Sequence, residues 1–279
     1  MIRVHDIFAF TDIHGMYDLY TSIMNYCIEQ DPECTIVFCG DACDRGPDGY
    51  KIIKELLDNP QVVYLKGNHE DLFVKAAREL YKIQNLDKKT IKNFLQNCMQ
   101  DESKFIDIQN SLYNGSMSTL IDWSMDGMPI DIIEKLEHLP LTFSTDTCDF
   151  CHSAGVYQVF KRVAECEYEN KDPDQYDANA IIWNRTAVDW GWAPNRIAVF
   201  GHTPTVSLPV YARVEKEEGR PVKFIGRSVL DDNMTGAKID MDTGACFLGT
   251  AYVLNCLTMK AQGFETKNGS VKKIEAIQF

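Results

Sequence analysis

At 279 residues, 45% hydrophobic and 25% charged, the chain has the composition of a soluble globular protein and the length for one sizeable α/β domain. A formal charge of −13 argues against non-specific binding to nucleic acid or to an anionic membrane, since both depend on clustered Lys and Arg. The apolar run Val4 to Phe10 is too short to span a bilayer or to serve as a secretory h-region, so a cytoplasmic protein with its ten cysteines reduced is expected.

In chain order, Ile7 to Phe10 reads as a strand, Met16 to Glu29 as a helix and Thr35 to Cys39 as a strand. Gly49 to Leu57 follows as a helix and Val62 to Leu65 as a strand. This alternation predicts βαβ units with a parallel core. The pattern then turns helical and polar from Asp71 to Leu139, with helices expected at Leu72 to Ile83, Ile91 to Met99, Ser116 to Trp123 and Ile130 to Leu136. This stretch, about 71–139, reads as an insertion in a single domain. Strands return at Leu141 to Ser144, Asp149 to His152, Ile197 to Phe200, Val206 to Val210, Ala237 to Asp240, Ala251 to Leu257 and Lys272 to Ile277, which points to an α/β sandwich. Glu165 to Asp177 and Asp189 to Asn195 read as loops. Cys148 and Cys151 form a C-x-x-C pair without a second pair at zinc-finger spacing, so they are assigned to packing.

Each early strand ends in a polar cluster: Asp12-Ile13-His14-Gly15, Gly40-Asp41-Ala42-Cys43-Asp44-Arg45-Gly46, and Gly67-Asn68-His69-Glu70. Ligands of α/β sheets bind beyond the carboxyl ends of strands, so the three clusters can share one rim. His152 and the Gly201-His202-Thr203 segment add two imidazoles in similar company. Carboxylate, amide and imidazole donors without thiolate suit a divalent cation such as Mn²⁺. His5 and His138 lack such neighbours and are left outside the site.

The ordered set D-x-H, G-D-x-x-D-R-G, G-N-H-E, His152 and G-H-T resembles the phosphoprotein phosphatase family of metallophosphoesterases, and most closely its bacterial and bacteriophage lambda type. The likeness extends to Ile182-Trp183-Asn184-Arg185, Val199 to Pro204 and Asp240 to Ala245, leaving the helical insertion unmatched. The resemblance implies a calcineurin-like fold of two mixed sheets flanked by helices. It implies two divalent cations, foremost Mn²⁺, with Fe, Zn, Co or Ni as alternatives. Asp12, His14 and Asp41 would hold one; Asp41, Asn68, His152 and His202 would hold the other. A hydroxide bridging the pair would attack phosphorus directly. His69 would protonate the leaving group with Asp44 as its partner, and Arg45, Arg185 and Asn68 would bind phosphate. Glu70 would stand behind, beside Arg45, fixing its orientation.

The implied substrates are phosphoserine, phosphothreonine or phosphotyrosine in proteins, and small aryl phosphates. The alternatives are a symmetrical bis(5'-nucleosyl)-tetraphosphatase, a phosphodiesterase with the same metals, and a binding module that has lost the chemistry. Relatives of the tetraphosphatase type carry Ala at the Asp44 position and Asp at the Glu70 position, and this chain departs from them at both.

Overall fold

The computed structural model describes residues 5–83, 90–100, 104–154, 182–185, 188, 191–211, 219–227 and 234–279. β1 (Ile7–Phe10), β2 (Thr35–Phe38) and β3 (Val62–Tyr64) lie side by side and parallel, with α1 (Tyr17–Gln30) and α2 (Gly49–Asp58) as the crossovers. The parallel core expected from the alternation is present. Between β3 and β4 stand α3 (Asn68–Tyr81), α4 (Ile91–Cys98), α5 (Ile106–Tyr113), α6 (Met117–Met125) and α7 (Ile130–Glu137). The remaining strands are β4 (Thr142–Ser144), β5 (Cys148–Cys151), β6 (Ile197–Phe200), β7 (Val222–Arg227), β8 (Thr235–Asp240), β9 (Thr250–Asn255), β10 (Lys260–Lys267) and β11 (Ser270–Gln278).

The strands form two mixed sheets, ordered β11-β10-β9-β1-β2-β3 and β4-β5-β6-β8-β7. Period-two alternation builds the layers. Phe8, Phe10, Ile36 and Phe38 face the helices, whereas Ala9, Val37 and Cys39 face the second sheet and meet Cys148, Phe150, Val199 and Ile239. Cys151, Ala198 and Phe200 turn the other way, onto Trp192, Leu208 and Phe224. Cys148 and Cys151 therefore occupy opposite faces of β5, and their C-x-x-C spacing cannot close on one metal. Among the described residues no helix is long and apolar enough to cross a membrane.

Val206 to Val210 is not a strand. Thr205–Ser207 forms a 3-10 turn and Leu208–Tyr211 a short helix. Pro204 and Pro209 have no N–H to offer a ladder, and the Thr205 N–H is taken by the Asp242 carbonyl at 2.8 Å. Sequence periodicity also missed α5, β7 and β10. The last has a register shift between Ala261 and Gly263 that interrupts its alternation. Glu165 to Asp177 lies outside the described residues, as does Trp190. Trp192 is buried and donates its indole N–H to Asp149.

Candidate metal centre

The carboxyl ends of β1, β2 and β3 deliver Asp12 and His14, Asp41 to Arg45, and Asn68 to Glu70 to one place; β5 and β6 add His152 and His202. All six proposed donors are buried. The backbone is strained to bring them there. Eleven non-glycine residues among those described have positive φ, and six of them are Asp12, His14, Asp41, Asp44, Arg45 and His202. Each costs roughly 1–2 kcal/mol and persists only because surrounding contacts hold it. Two glycines answer the crowding: a Cβ at Gly67 would collide with the Asp41 carboxylate, and one at Gly201 with that of Asp12.

Asp41 divides its two oxygens between two clusters. Oδ2 lies 3.6 Å from His14 Nε2 and 3.8 Å from His69 Nε2, while Oδ1 lies 3.4 Å from His152 Nε2. His14, Asp41 and His69 thus form one group of converging donors, and Asp41, His152 and His202 the other. Asp12 Oδ1 stands 3.9 Å from His14 Nε2; its Oδ2 accepts from the Thr11 hydroxyl at 2.6 Å and from the His202 N–H at 3.0 Å. The Asp41 carboxylate also caps α3, accepting the His69 N–H at 3.0 Å, where the helix dipole favours a negative charge.

The tautomers follow from the outer hydrogen bonds. His14 Nδ1–H donates to the Cys43 carbonyl and His152 Nδ1–H to the Cys39 carbonyl, both at 2.9 Å, so each Nε2 turns a lone pair inward. Asn68 Oδ1 lies 2.9 Å from that His152 Nε2 and 2.8 Å from His202 Nδ1. The Asn68 oxygen and His152 Nε2 are acceptors this close with no proton between them, and they fit a cation placed among them. The mixed N and O donor set fits the same group.

His69 Nδ1 is 2.8 Å from Asp44 Oδ2, and Arg45 spans the neighbouring rings, 2.8 Å from His14 Nε2 and 2.9 Å from His69 Nε2. Arg185 donates to the His202 carbonyl at 2.9 Å and the Thr203 hydroxyl at 3.0 Å, beside the second cluster. Every predicted site residue is therefore gathered here. Glu70 is the one whose contacts differ from expectation. It does not orient Arg45: its oxygens accept from the backbone N–H groups of Asp41, Ala42 and Gly67 at 2.7–2.8 Å and from the Tyr64 hydroxyl at 2.9 Å. A carboxylate at the third position of a helix reaches back to the N-cap more readily than to a side chain on another loop.

With protein charges alone, four groups of the site, Asp41, Asp44, His14 and His69, are shifted toward their neutral forms. Burial, then Asp12 and Glu70, pushes Asp41 well above the usual carboxylate range, and burial lifts Asp44 to about 7. Burial, with His69 and Arg45 adding to it, holds His14 well below the usual imidazole value; burial and Arg45 do the same to His69. Asp240 and Asp242, buried beside Asp12, are raised likewise, chiefly by desolvation. Their closeness to the site comes from the end of β8, in the Asp240 to Ala245 stretch that the family resemblance included without giving these two acids a role. Buried like charges without a counter-charge are what added cations neutralise.

A mixed-sheet sandwich that gathers two carboxylate and imidazole clusters about one shared aspartate has the architecture of a dinuclear metallohydrolase. Residues 5–206 match the profile of the calcineurin-like phosphoesterases, and the chain belongs to that family, whose members depend on two metals and act on phosphoesters. Among curated protein sequences none matches significantly. Similar solved structures include a protein assigned as a diadenosine tetraphosphatase, with TM-score 0.48 and 14% identity over 97% of this chain and 93% of that one. A metallophosphoesterase from Sphaerobacter thermophilus gives TM-score 0.45 and 12% identity over 98% and 89%. A protein serine/threonine phosphatase from Saccharomyces cerevisiae gives 0.41 and 13% over 99% and 81%.

Proposed function

We propose that the chain is a phosphomonoesterase of the bacterial and bacteriophage lambda type, acting on phosphoserine, phosphothreonine or phosphotyrosine in proteins and on small aryl phosphates. The observation that carries this reading is the buried pair of His69 and Asp44, 2.8 Å apart, with the outer ring nitrogen turned toward the shared Asp41. A proton donor at that place serves a leaving alkoxide, which departs poorly without one. A phosphoanhydride needs it less, because its leaving group is already a stabilised phosphate anion. The pair therefore favours monoesters over dinucleoside tetraphosphates.

Asp12, His14 and Asp41 would hold one divalent cation, and Asp41, Asn68, His152 and His202 the other, with Mn²⁺ foremost. Such a pair supplies water of lowered pKa and neutralises charge on the phosphoryl oxygens. The chain's own residues do the rest. Arg45 over the first cluster and Arg185 beside the second present guanidinium forks suited to two phosphoryl oxygens. Asp44 fixes the His69 ring through Nδ1, and its carboxylate favours the protonated ring against the burial that opposes it. Glu70, by accepting from the N–H groups of Asp41 and Ala42 on one loop and of Gly67 on the next, holds Asp41 in place.

The test is turnover of p-nitrophenyl phosphate, a phosphoserine peptide and a dinucleoside tetraphosphate with Mn²⁺ and after chelation. Both esters are expected to be hydrolysed, and chelation to abolish the activity. Activity confined to the tetraphosphate would replace this reading with a tetraphosphatase, and none with any metal would leave a binding module.

A further inference from the structure

Helices α4 to α7 carry none of the metal-site motifs, yet the α5–α6 corner lies against the Asp44-Arg45-Gly46 turn. Three hydrogen bonds cross the contact. The Asp44 N–H donates to Thr119 Oγ1 at 3.1 Å, the Arg45 N–H to the Gly115 carbonyl at 2.9 Å, and the Ser118 hydroxyl to the Gly46 carbonyl at 2.8 Å. Asp44 and Arg45 sit at φ 68° and 65°, a conformation that residues with a Cβ keep only under external constraint. Thr119 is fully buried, and Gly49 leaves the space it occupies, since a Cβ there would stand 3.0 Å from the Thr119 hydroxyl. Gly115, at φ 97°, allows the corner to approach Arg45. A buried hydroxyl pair, Ser111 to Ser116 at 2.7 Å, braces the corner from behind.

We propose that Thr119 is a positioning residue: its hydroxyl fixes the Asp44 turn, and through Asp44 it fixes the ring of His69 for proton delivery to the leaving group. The inference rests on the phosphomonoesterase reading above. Of the three bonds, Thr119 alone reaches Asp44 itself, and does so through a side chain. Loss of the hydroxyl strands a buried N–H and frees the turn to relax toward ordinary φ. The carboxylate then moves off His69 while the metal donors, held by other elements, stay in place.

The Mn²⁺-loaded protein is tested as wild type, Thr119→Val and Thr119→Ser on a phosphoserine peptide and on p-nitrophenyl phosphate, with bound manganese measured alongside. Thr119→Val is expected to lower kcat on the peptide about tenfold and on the nitrophenyl ester less than about threefold, a fraction of what a general acid supplies. KM and metal content stay unchanged, and Thr119→Ser restores both rates to within about twofold. If the valine variant does not fold, Thr119→Ala carries the same expectation. Equal slowing of the two esters, or none, overturns the role of Thr119 while a wild type active on both leaves the phosphomonoesterase reading standing. A wild type inactive on both brings down the two together.

Discussion

Buried carboxylates in two regions, Asp149 on the second sheet and Asp41 and Asp44 beyond β2 of the first, are treated in opposite ways. Asp149, on β5, receives Ser144 at 2.7 Å, Trp192 at 2.5 Å, and the Arg196 fork at 2.7 and 2.5 Å. Burial pushes its carboxyl upward, yet Arg196, Trp192 and Ser144 together outweigh that and hold it below the usual carboxylate range. Asp41, buried beside Asp12 and Glu70, and Asp44, buried beside His69, are both raised. Asp149 has a counter-charge in the fold that outweighs its burial, whereas Arg45 near Asp41 and Asp44 does not outweigh theirs. Burial alone does not mark a functional acid, whereas burial that no fixed cation outweighs does.

The sharpest break of this contrast is Asp41→Asn. Removing the shared carboxylate is expected to lower turnover about ten-thousandfold, or some 5 kcal/mol in the barrier, with bound manganese lost from both clusters by elemental analysis. Retained activity would deny Asp41 its bridging place. Next comes Arg196→Ala, which leaves Asp149 buried and unpaired. Because Arg196 is 31% exposed, the expected loss of stability by denaturant unfolding is about 2–4 kcal/mol, toward the low side for a broken buried pair. The sign with pH follows from the depressed carboxyl: its stabilisation is present above the unfolded value and is lost as pH falls through the folded one. The deficit of the variant is therefore expected to be largest at neutral pH and to shrink below about pH 4; a deficit that grows on acidification would contradict the assignment. The smallest effect is the gain on metal loading. Mn²⁺ at about a hundred times its dissociation constant should stabilise the wild type by about 2.7 kcal/mol per site, read as a rise in melting temperature that is absent in Asp41→Asn.

Much of this was legible in the residues because the chemistry demands particular side chains at strand ends. Asp12, His14, Asp41, Asn68, His69, His152 and His202 stand out in sequence since a strand followed at once by Gly, Asp, Asn or His places donors on a shared rim. The strands β1, β2 and β3 were readable from short apolar runs, and the parallel core from their alternation with helices. What escaped was fixed by backbone rather than by side-chain type. The carbonyls of Cys39 and Cys43 set two imidazole tautomers, and no residue code announces a carbonyl. Glu70 was expected on a neighbouring arginine and instead binds three N–H groups, because helix-start geometry draws it backward. Val206 to Val210 has strand composition, but two prolines and the Asp242 carbonyl turn it into a helical hook.

The division of Asp41 between its neighbours has a mechanical side. His14, Asp12 and His69 all hang from the first sheet, and the His202 N–H on Asp12 ties that cluster to the second. The other takes Asp41 and Asn68 from the first sheet but His152 and His202 from the second, and it straddles the joint between the layers. Parting of the two sheets is expected to stretch the straddling cluster, with two donors on each side, more than its twin. Warming or mild denaturant should release ions in sequence, the bridging pocket emptying before the sheet-borne one.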